Sequence, residues 1–151
     1  MKLSTRSRYG ARLLLDIAQH HRQGPVQIGD IARRQNISVK YLEQIIIPLK
    51  KARIVNSVRG TNGGHYLAKP PEQISIGEIV AILEGGKTIM ECTDRPETCE
   101  RSAGCLTRSV WKEAQEAMYA KLNSISLADL IERGATSKVG IDLDETEGQP
   151  S

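Results

Sequence analysis

The sequence predicts a mainly α-helical fold carrying one small β-hairpin. Three observations predict it. Apolar residues recur at the spacing of amphipathic helices through most of the chain. Two short strand-like runs flank a Gly/Asn-rich segment at 60–64. Phe is absent and aromatics make up only 3% of residues, so the core must be built from Ile, Leu, Val and Ala, a composition suited to helices packed on helices. At 151 residues the chain can bury one sizeable core. Its 39% hydrophobic and 26% charged residues exclude fibrous and wholly disordered classes.

The first helix spans 5–21, with Tyr9, Leu13, Leu14, Ile17 and Ala18 on one face and Arg6, Arg8, Arg12 and Arg22 mostly elsewhere. Gly24 and Pro25 end it. Ile28, Ile31 and Ala32 trace a short second helix that stops near Asn36. Ser38 is placed to cap a third helix, which runs through Tyr41, Leu42, Ile45, Ile46 and Leu49 to about Ala52. A short helix, a brief turn at 35–37 and a second helix with a polar start form a helix-turn-helix pattern that presents 38–44 to a partner. Tyr41 and Leu42 are expected in the core. Pro48 removes an intrahelical hydrogen bond and is expected to kink or unwind the last turn.

The runs 54–59 and 65–69 form a hairpin, or wing, with Gly63 and Gly64 expected to supply positive φ. Its small tip, with Thr61 and Asn62, suits approach to a phosphate backbone or entry into a minor groove. An isolated hairpin of this size is marginal and must pack on the helices. After Pro70 and Pro71, Ser75 caps a helix carrying Ile76, Ile79, Val80, Ile82 and Leu83, closed by Gly85 and Gly86. From 87 to 104 no periodicity is sustained, which predicts a functional or a disordered loop. A long helix at 107–122 aligns Val110, Trp111, Ala114, Ala117, Met118 and Leu122 and is a candidate for dimerisation with a second copy. Ser126 and Asp129 resemble a capping box for a last short helix through Ile131. The expected division is a winged DNA-binding unit at 1–84, a cysteine-bearing sensor loop at 85–106, the dimerisation and terminal helices at 107–133, and an acidic, disordered tail at 134–151.

The net charge of +3 hides a division. Residues 1–69 hold 13 Lys/Arg against 3 Asp/Glu, and the remainder 8 against 15. A field of one sign in one contiguous half points to a polyanionic partner, the alternative being a solvated basic face. The scarcity of aromatics argues against base-stacking recognition of single strands and leaves double-stranded DNA. No apolar run approaches the roughly 20 residues that span a bilayer, and charges at Arg8, Arg12 and Asp16 break the first apolar segment, so a cytoplasmic protein without a membrane partner is expected. No phosphate loop, nucleophile motif or acid–base pair appears, so the chain is not expected to be an enzyme, and His65 reads as a wing residue touching phosphate.

All three cysteines, Cys92, Cys99 and Cys105, fall in a 14-residue window. In a cytosolic protein such clustering favours metal or redox chemistry over disulfides, and an odd count leaves one thiol unpaired. Thiolates suit zinc or iron–sulfur iron. No His is local to complete a zinc site, whereas Arg95, Arg101 and Arg108 favour thiolates by charge and so ease both cluster binding and oxidation. Reactive thiols remain the second reading.

The winged pattern together with Tyr41-Leu42-Glu43-Gln44, Ser57-Val58-Arg59-Gly60 with its Gly-rich tip and Tyr66, Ile76-Gly77-Glu78-Ile79, and Cys105-Leu106-Thr107 before Trp111 resembles the IscR, NsrR and CymR-type, or Rrf-two, family of winged helix-turn-helix transcriptional regulators over residues 1–132. The resemblance implies a homodimer bound to a near-palindromic operator. It places Ser38, Lys40 and Glu43 at base edges and Arg59 of the wing at the minor groove, roles their chemistry allows: Glu accepts from cytosine N4 and Arg favours a narrow groove. It makes Cys92, Cys99 and Cys105 ligands of an iron–sulfur cluster, a 2Fe–2S cluster favoured over a 4Fe–4S one. The fourth ligand is left open: IscR has a His where this chain has Arg108, and NsrR-like members draw a carboxylate from the position of Arg8. CymR-like relatives imply the alternative, a cluster-free repressor of cysteine or sulfur metabolism governed by thiols or by a metabolic-enzyme partner.

Overall fold

A computed structural model describes residues 2–136. Its elements are α1 (Thr5–His20), α2 (Ile28–Gln35), α3 (Val39–Lys51), β1 (Val55–Val58), β2 (Gly64–Leu67), α4 (Ile76–Glu84), α5 (Glu91–Asp94), α6 (Leu106–Asn123) and α7 over 127–136. The fold is mainly helical with one antiparallel hairpin, as predicted.

Ser4 caps α1, its hydroxyl oxygen accepting from the Ser7 amide at 3.2 Å. The apolar face of α1 then drives Leu13, Leu14, Ile17 and Ala18 into the centre of the core, where α2, α3, α4 and β2 pack around them. Between α2 and α3 the turn lacks glycine, and Asn36 supplies the left-handed conformation (φ 54°, ψ 50°) that closes α2. Asn tolerates this region better than other residues with a Cβ. Ser38 caps α3 by accepting from the Tyr41 amide at 3.1 Å. Leu42, Ile45, Ile46 and Leu49 are buried, while Tyr41 is half-buried and stacks edge-on against Tyr9, 5.7 Å between centroids. The expected unwinding at Pro48 does not occur. Helix α3 continues to Lys51, with the Pro48 carbonyl accepting from the Ala52 amide at 3.0 Å, because buried Ile46 and Leu49 hold the turn in place. Arg53, left-handed at φ 59°, then turns the chain into β1.

The hairpin pairs Val55 with Leu67 through Val58 with Gly64. Val26, just before α2, adds a one-residue third strand: its amide donates to the His65 carbonyl at 2.8 Å and its carbonyl accepts from the His65 amide at 2.7 Å. The wing is thus stitched to the entrance of the helix-turn-helix. Positive φ falls at Gly60 and Gly64 rather than at Gly63. Gly63 serves close approach instead, since a Cβ there would run into the backbone at Val58, Arg59 and Gly60.

Ser75 caps α4 and left-handed Gly85 ends it. The stretch after α4, expected as an irregular loop, folds into α5 and the 3-10 turns Pro96–Thr98 and Ser102–Gly104. Beyond α6 the chain returns to pair Ser126 with Ser75, the Ile76 amide donating to the Ile125 carbonyl at 2.8 Å and the Leu127 amide to the Ile74 carbonyl at 2.9 Å. The capping box is reciprocal: the Ser126 amide donates to the Asp129 carboxylate at 2.9 Å, and the Asp129 amide to the Ser126 hydroxyl oxygen at 3.1 Å. Leu127 is fully buried in the same core as Ile74 and Ile79, so one core crosses the division drawn between 84 and 85. Helix α7 reaches residue 136, past the boundary set at 133; the rest of the expected tail, 137–151, lies outside the described residues.

Candidate functional site

The outward face of α3 carries Val39, Lys40, Glu43, Gln44, Ile47 and Lys50, all exposed. Ser38 is exposed too. Its oxygen serves as the cap, which leaves the hydroxyl hydrogen available for donation. The ion pairs among the described residues are Asp16 with Arg34, Asp30 with Arg33, and Glu78 with Lys69, with His20 Nδ1 3.5 Å from the Asp16 carboxylate, so neither Lys40 nor Lys50 is paired to Glu43. Arg59, Thr61 and Asn62 are exposed around the hairpin turn, where the Thr61 carbonyl accepts from Gln27 Nε2 at 3.4 Å and ties the tip to the start of α2. His65 corrects the reading made from sequence. It is half-buried rather than free at the wing surface: its Nδ1 is buried without a hydrogen-bond partner, and burial, followed by the charge of Lys50, pushes its pKa below the ordinary value, which disfavours the charged ring that would attract phosphate.

Not every arginine of the basic half faces outward. Arg34 forms a two-pronged pair with the buried carboxylate of Asp16, and Gln35 Nε2 donates to the same carboxylate at 2.9 Å. Burial pushes the Asp16 carboxyl up, but hydrogen bonds from Arg34 and Gln35 and the nearby charges outweigh it and hold the carboxyl below its usual range. Arg12 lies 5.4 Å over the Tyr9 ring and donates to Gln35 Oε1 at 3.1 Å. These contacts lock α2 to α1 and so fix where α3 starts. The one signal for them in the sequence is Asp16 itself, a charge among the apolar positions of α1.

The cysteines occupy the segment between α4 and α6. Cys92 lies half-buried on α5, Cys99 is exposed, and Cys105 stands at the N-cap of α6, its sulfur 3.3 Å from the Thr107 hydroxyl. That hydroxyl, then the Arg108 amide, lowers the Cys105 pKa. Two residues of α6 pin the segment. Arg108 donates to the Cys92 carbonyl at 2.6 Å, and Gln115 Oε1 accepts from the Ile89 amide at 2.8 Å and the Thr93 hydroxyl at 3.2 Å. Among the described residues no group of three or more His, Cys, Asp and Glu is gathered about a metal position. Three thiols fit iron in donor type, and Arg108, a cation bound to a backbone carbonyl, cannot be the fourth donor.

Helix α6 turns Gln115 and Tyr119 inward, Tyr119 donating to the Gly86 carbonyl at 3.3 Å. The stripe expected on α6 is therefore split: Met118 and Leu122 are half-buried, whereas Val110 and Trp111 are 52% and 42% exposed; Leu106, outside the expected stripe at the start of the helix, is 88% exposed. At the other end of the segment, Glu84 Oε1 accepts from the Ser4 amide (2.8 Å) and hydroxyl (2.7 Å) and from the Ser7 hydroxyl, clamping the end of α4 to the start of α1.

A helix-turn-helix with an exposed second helix, stitched to a hairpin whose turn carries an exposed arginine, defines a winged-helix DNA-binding transcriptional regulator. The chain belongs to the Rrf2 family, described as iron-dependent transcriptional regulators, whose pattern matches residues 3–133. It is 53% identical over 131 residues to the protein Rrf2 of Nitratidesulfovibrio vulgaris, covering 87% of each chain. Among solved structures it is similar to T. potens IscR (TM-score 0.73, 38% identity, 89% of this chain and 88% of that one) and to CymR, the global cysteine regulator of B. subtilis (TM-score 0.73, 34% identity, 88% and 98%). Its relatives are regulators, not enzymes. No helix among the described residues is long and apolar enough to cross a membrane.

Proposed function

We propose that the chain is a homodimeric, cytoplasmic repressor whose Cys92–Cys99–Cys105 segment senses iron–sulfur, redox or nitric-oxide status and sets its grip on double-stranded operator DNA. Ser38, Lys40 and Glu43 meet base edges in the major groove, and Arg59, Thr61 and Asn62 carry the wing to the minor groove. Leu106, Val110 and Trp111 form the seam with a second copy. Cys92, Cys99 and Cys105 would hold an iron–sulfur cluster, 2Fe–2S in preference to 4Fe–4S, which would supply a centre that oxidants and nitric oxide can attack. The observation that carries this reading is the placement of the cysteine segment. It leaves α4 at the Glu84–Ser4–Ser7 clamp and is held to α6 by Arg108 and Gln115, so a change in the segment bears both on α1, the centre of the DNA-binding unit, and on the seam. Sensing then requires two arrangements that differ in their interaction with the segment.

A second reading is favoured by Arg108 standing in the fourth-ligand position and by the similarity to CymR: a cluster-free repressor of cysteine or sulfur metabolism, governed by its thiols or by a metabolic-enzyme partner. Anaerobic purification with visible absorption, iron and sulfide measured on one sample decides between them. A coloured protein with stoichiometric sulfide supports the cluster. A colourless protein that still binds operator DNA, and forms a sulfenate or disulfide at one defined cysteine after peroxide, supports the second reading.

A further inference from the structure

Helix α3 buries its strong apolar residues almost completely: Leu42, Ile45 and Leu49 have no exposed surface and Ile46 5%. Two others break this order. Val39 is 40% exposed and Ile47 58% exposed, and they stand four residues before and four residues after Glu43. Steps of four keep residues on one face of a helix, so Val39, Glu43 and Ile47 form a single outward ridge about 12 Å long, the length of roughly three to four stacked base pairs.

The surroundings of the ridge say what covers it. Lys40, Lys50 and Lys51 flank it, and none of them takes part in an ion pair among the described residues. They belong to the half of the chain that holds 13 Lys/Arg against 3 Asp/Glu. A protein partner would have to leave these ammonium groups unpaired or supply its own acids, whereas a duplex supplies phosphates along both edges of the groove. Within the major groove one base edge is apolar: thymine alone presents a methyl group there. A ridge of apolar, acceptor, apolar character matches a groove surface of methyl, amino donor, methyl, with Glu43 set to accept from the cytosine or adenine amino group between.

We propose that Val39 and Ile47 are specificity residues that read thymine methyl groups on either side of the base pair addressed by Glu43. This rests on the DNA-binding reading above and adds to it the base preference of two positions whose side chains cannot hydrogen-bond. Operator half-sites then carry thymine at both flanking positions, separated by the base pair or two that Glu43 addresses.

The test begins with selection of bound duplexes from a random library by the full-length protein, purified anaerobically. Each thymine of the selected half-site is then replaced by deoxyuridine, which removes only the methyl group, and affinity is measured at fixed salt. The expected result is binding about fourfold weaker at each contacted position, the order given by one buried methyl group. Val39→Ala and Ile47→Ala should each abolish the thymine–uracil difference at one position and leave it at the other. Both side chains are surface-exposed, and the uracil series uses the unaltered protein, so a folding defect in either variant does not affect the outcome. Uracil probes that bind as tightly as thymine probes, with sequence-specific binding intact, overturn the proposal while the DNA-binding reading stands. So does a result in which Ile47→Ala changes oligomeric state instead of base preference. Failure to select any sequence overturns both.

Discussion

Arg34 grips the buried carboxylate of Asp16 through two hydrogen bonds, 3.0 Å from Nε and 2.6 Å from a terminal nitrogen, and by doing so ties α2 to α1. Replacing Arg34 by Ala leaves a buried charge with fewer partners. The expected loss is about 2 kcal/mol, below the range for a fully buried pair because the Arg34 side chain is partly open to water. Urea unfolding at pH 7 measures it. Asp16 is held below its ordinary value of 3.8, so the stability it contributes is present above that pH and lost as pH falls through its lowered folded value. The difference between the wild type and Arg34→Ala therefore narrows in acid.

His65 gives a second window of pH. Burial lowers its pKa from 6.5, so the unfolded chain takes up a proton that the folded chain refuses. Stability is complete above pH 6.5 and falls as pH drops through the window below it. Unfolding midpoints at pH 7.5, 6.5 and 5.5 should decline for the wild type and decline less for His65→Leu. Equal slopes would remove His65 as the cause.

Gly77 lies where α4 meets the end of α6, and a Cβ there would collide with the Asn123 side chain and come within 2.9 Å of its backbone nitrogen. Gly77→Ala is expected to lower stability by about 1–3 kcal/mol, the usual range for overpacking, although alanine is the better helix former. A rise in melting temperature would show that α6 shifts freely.

Trp111 and Val110 are exposed one turn from Leu106 on α6. If the proposed seam lies here, Trp111→Glu is expected to lower the mass seen in light scattering from that of two copies to that of one and to leave helical content unchanged. An unchanged mass places the seam elsewhere.

Arg59 stands exposed beside the wing tip. Arg59→Ala should weaken operator binding about tenfold. The salt dependence then sorts its role: a slope of log affinity against log salt reduced by about one marks a phosphate contact, and an unchanged slope with relaxed sequence preference marks a base contact.

Local chemistry was the legible part of this fold. The caps at Ser38 and Ser75 and the Ser126–Asp129 box are each decided within four residues, and each forms as read. The hairpin and the helix faces follow from short periodicities. What was not legible depends on distant partners. Arg34 looks like any basic residue until α1 brings Asp16 to it. Nothing near His65 announces that its backbone will pair with Val26 or that its Nδ1 will be buried. Pro48 weakens its turn locally, yet Leu49 and Ile46 hold that turn from the core side. For the candidate site, the three cysteines share the segment between α4 and α6 because they are close in sequence, but their surroundings could not be read there. That Arg108 grips the Cys92 carbonyl appears only once α5 is laid against α6.

The pairing of Ser75 with Ser126, which places Leu127 beside Ile74, also governs how the molecule comes into being. A chain emerging from the ribosome N-terminus first displays α1, α3 and the hairpin well before residue 127, and until then the core that Ile74 and Ile79 share with Leu127 is incomplete. The core is sealed last, by an element made after the cysteines. A fragment that stops before residue 127 lacks Leu127 and leaves that part of the core open, so it is expected to be cleaved faster than the longer chain in limited proteolysis.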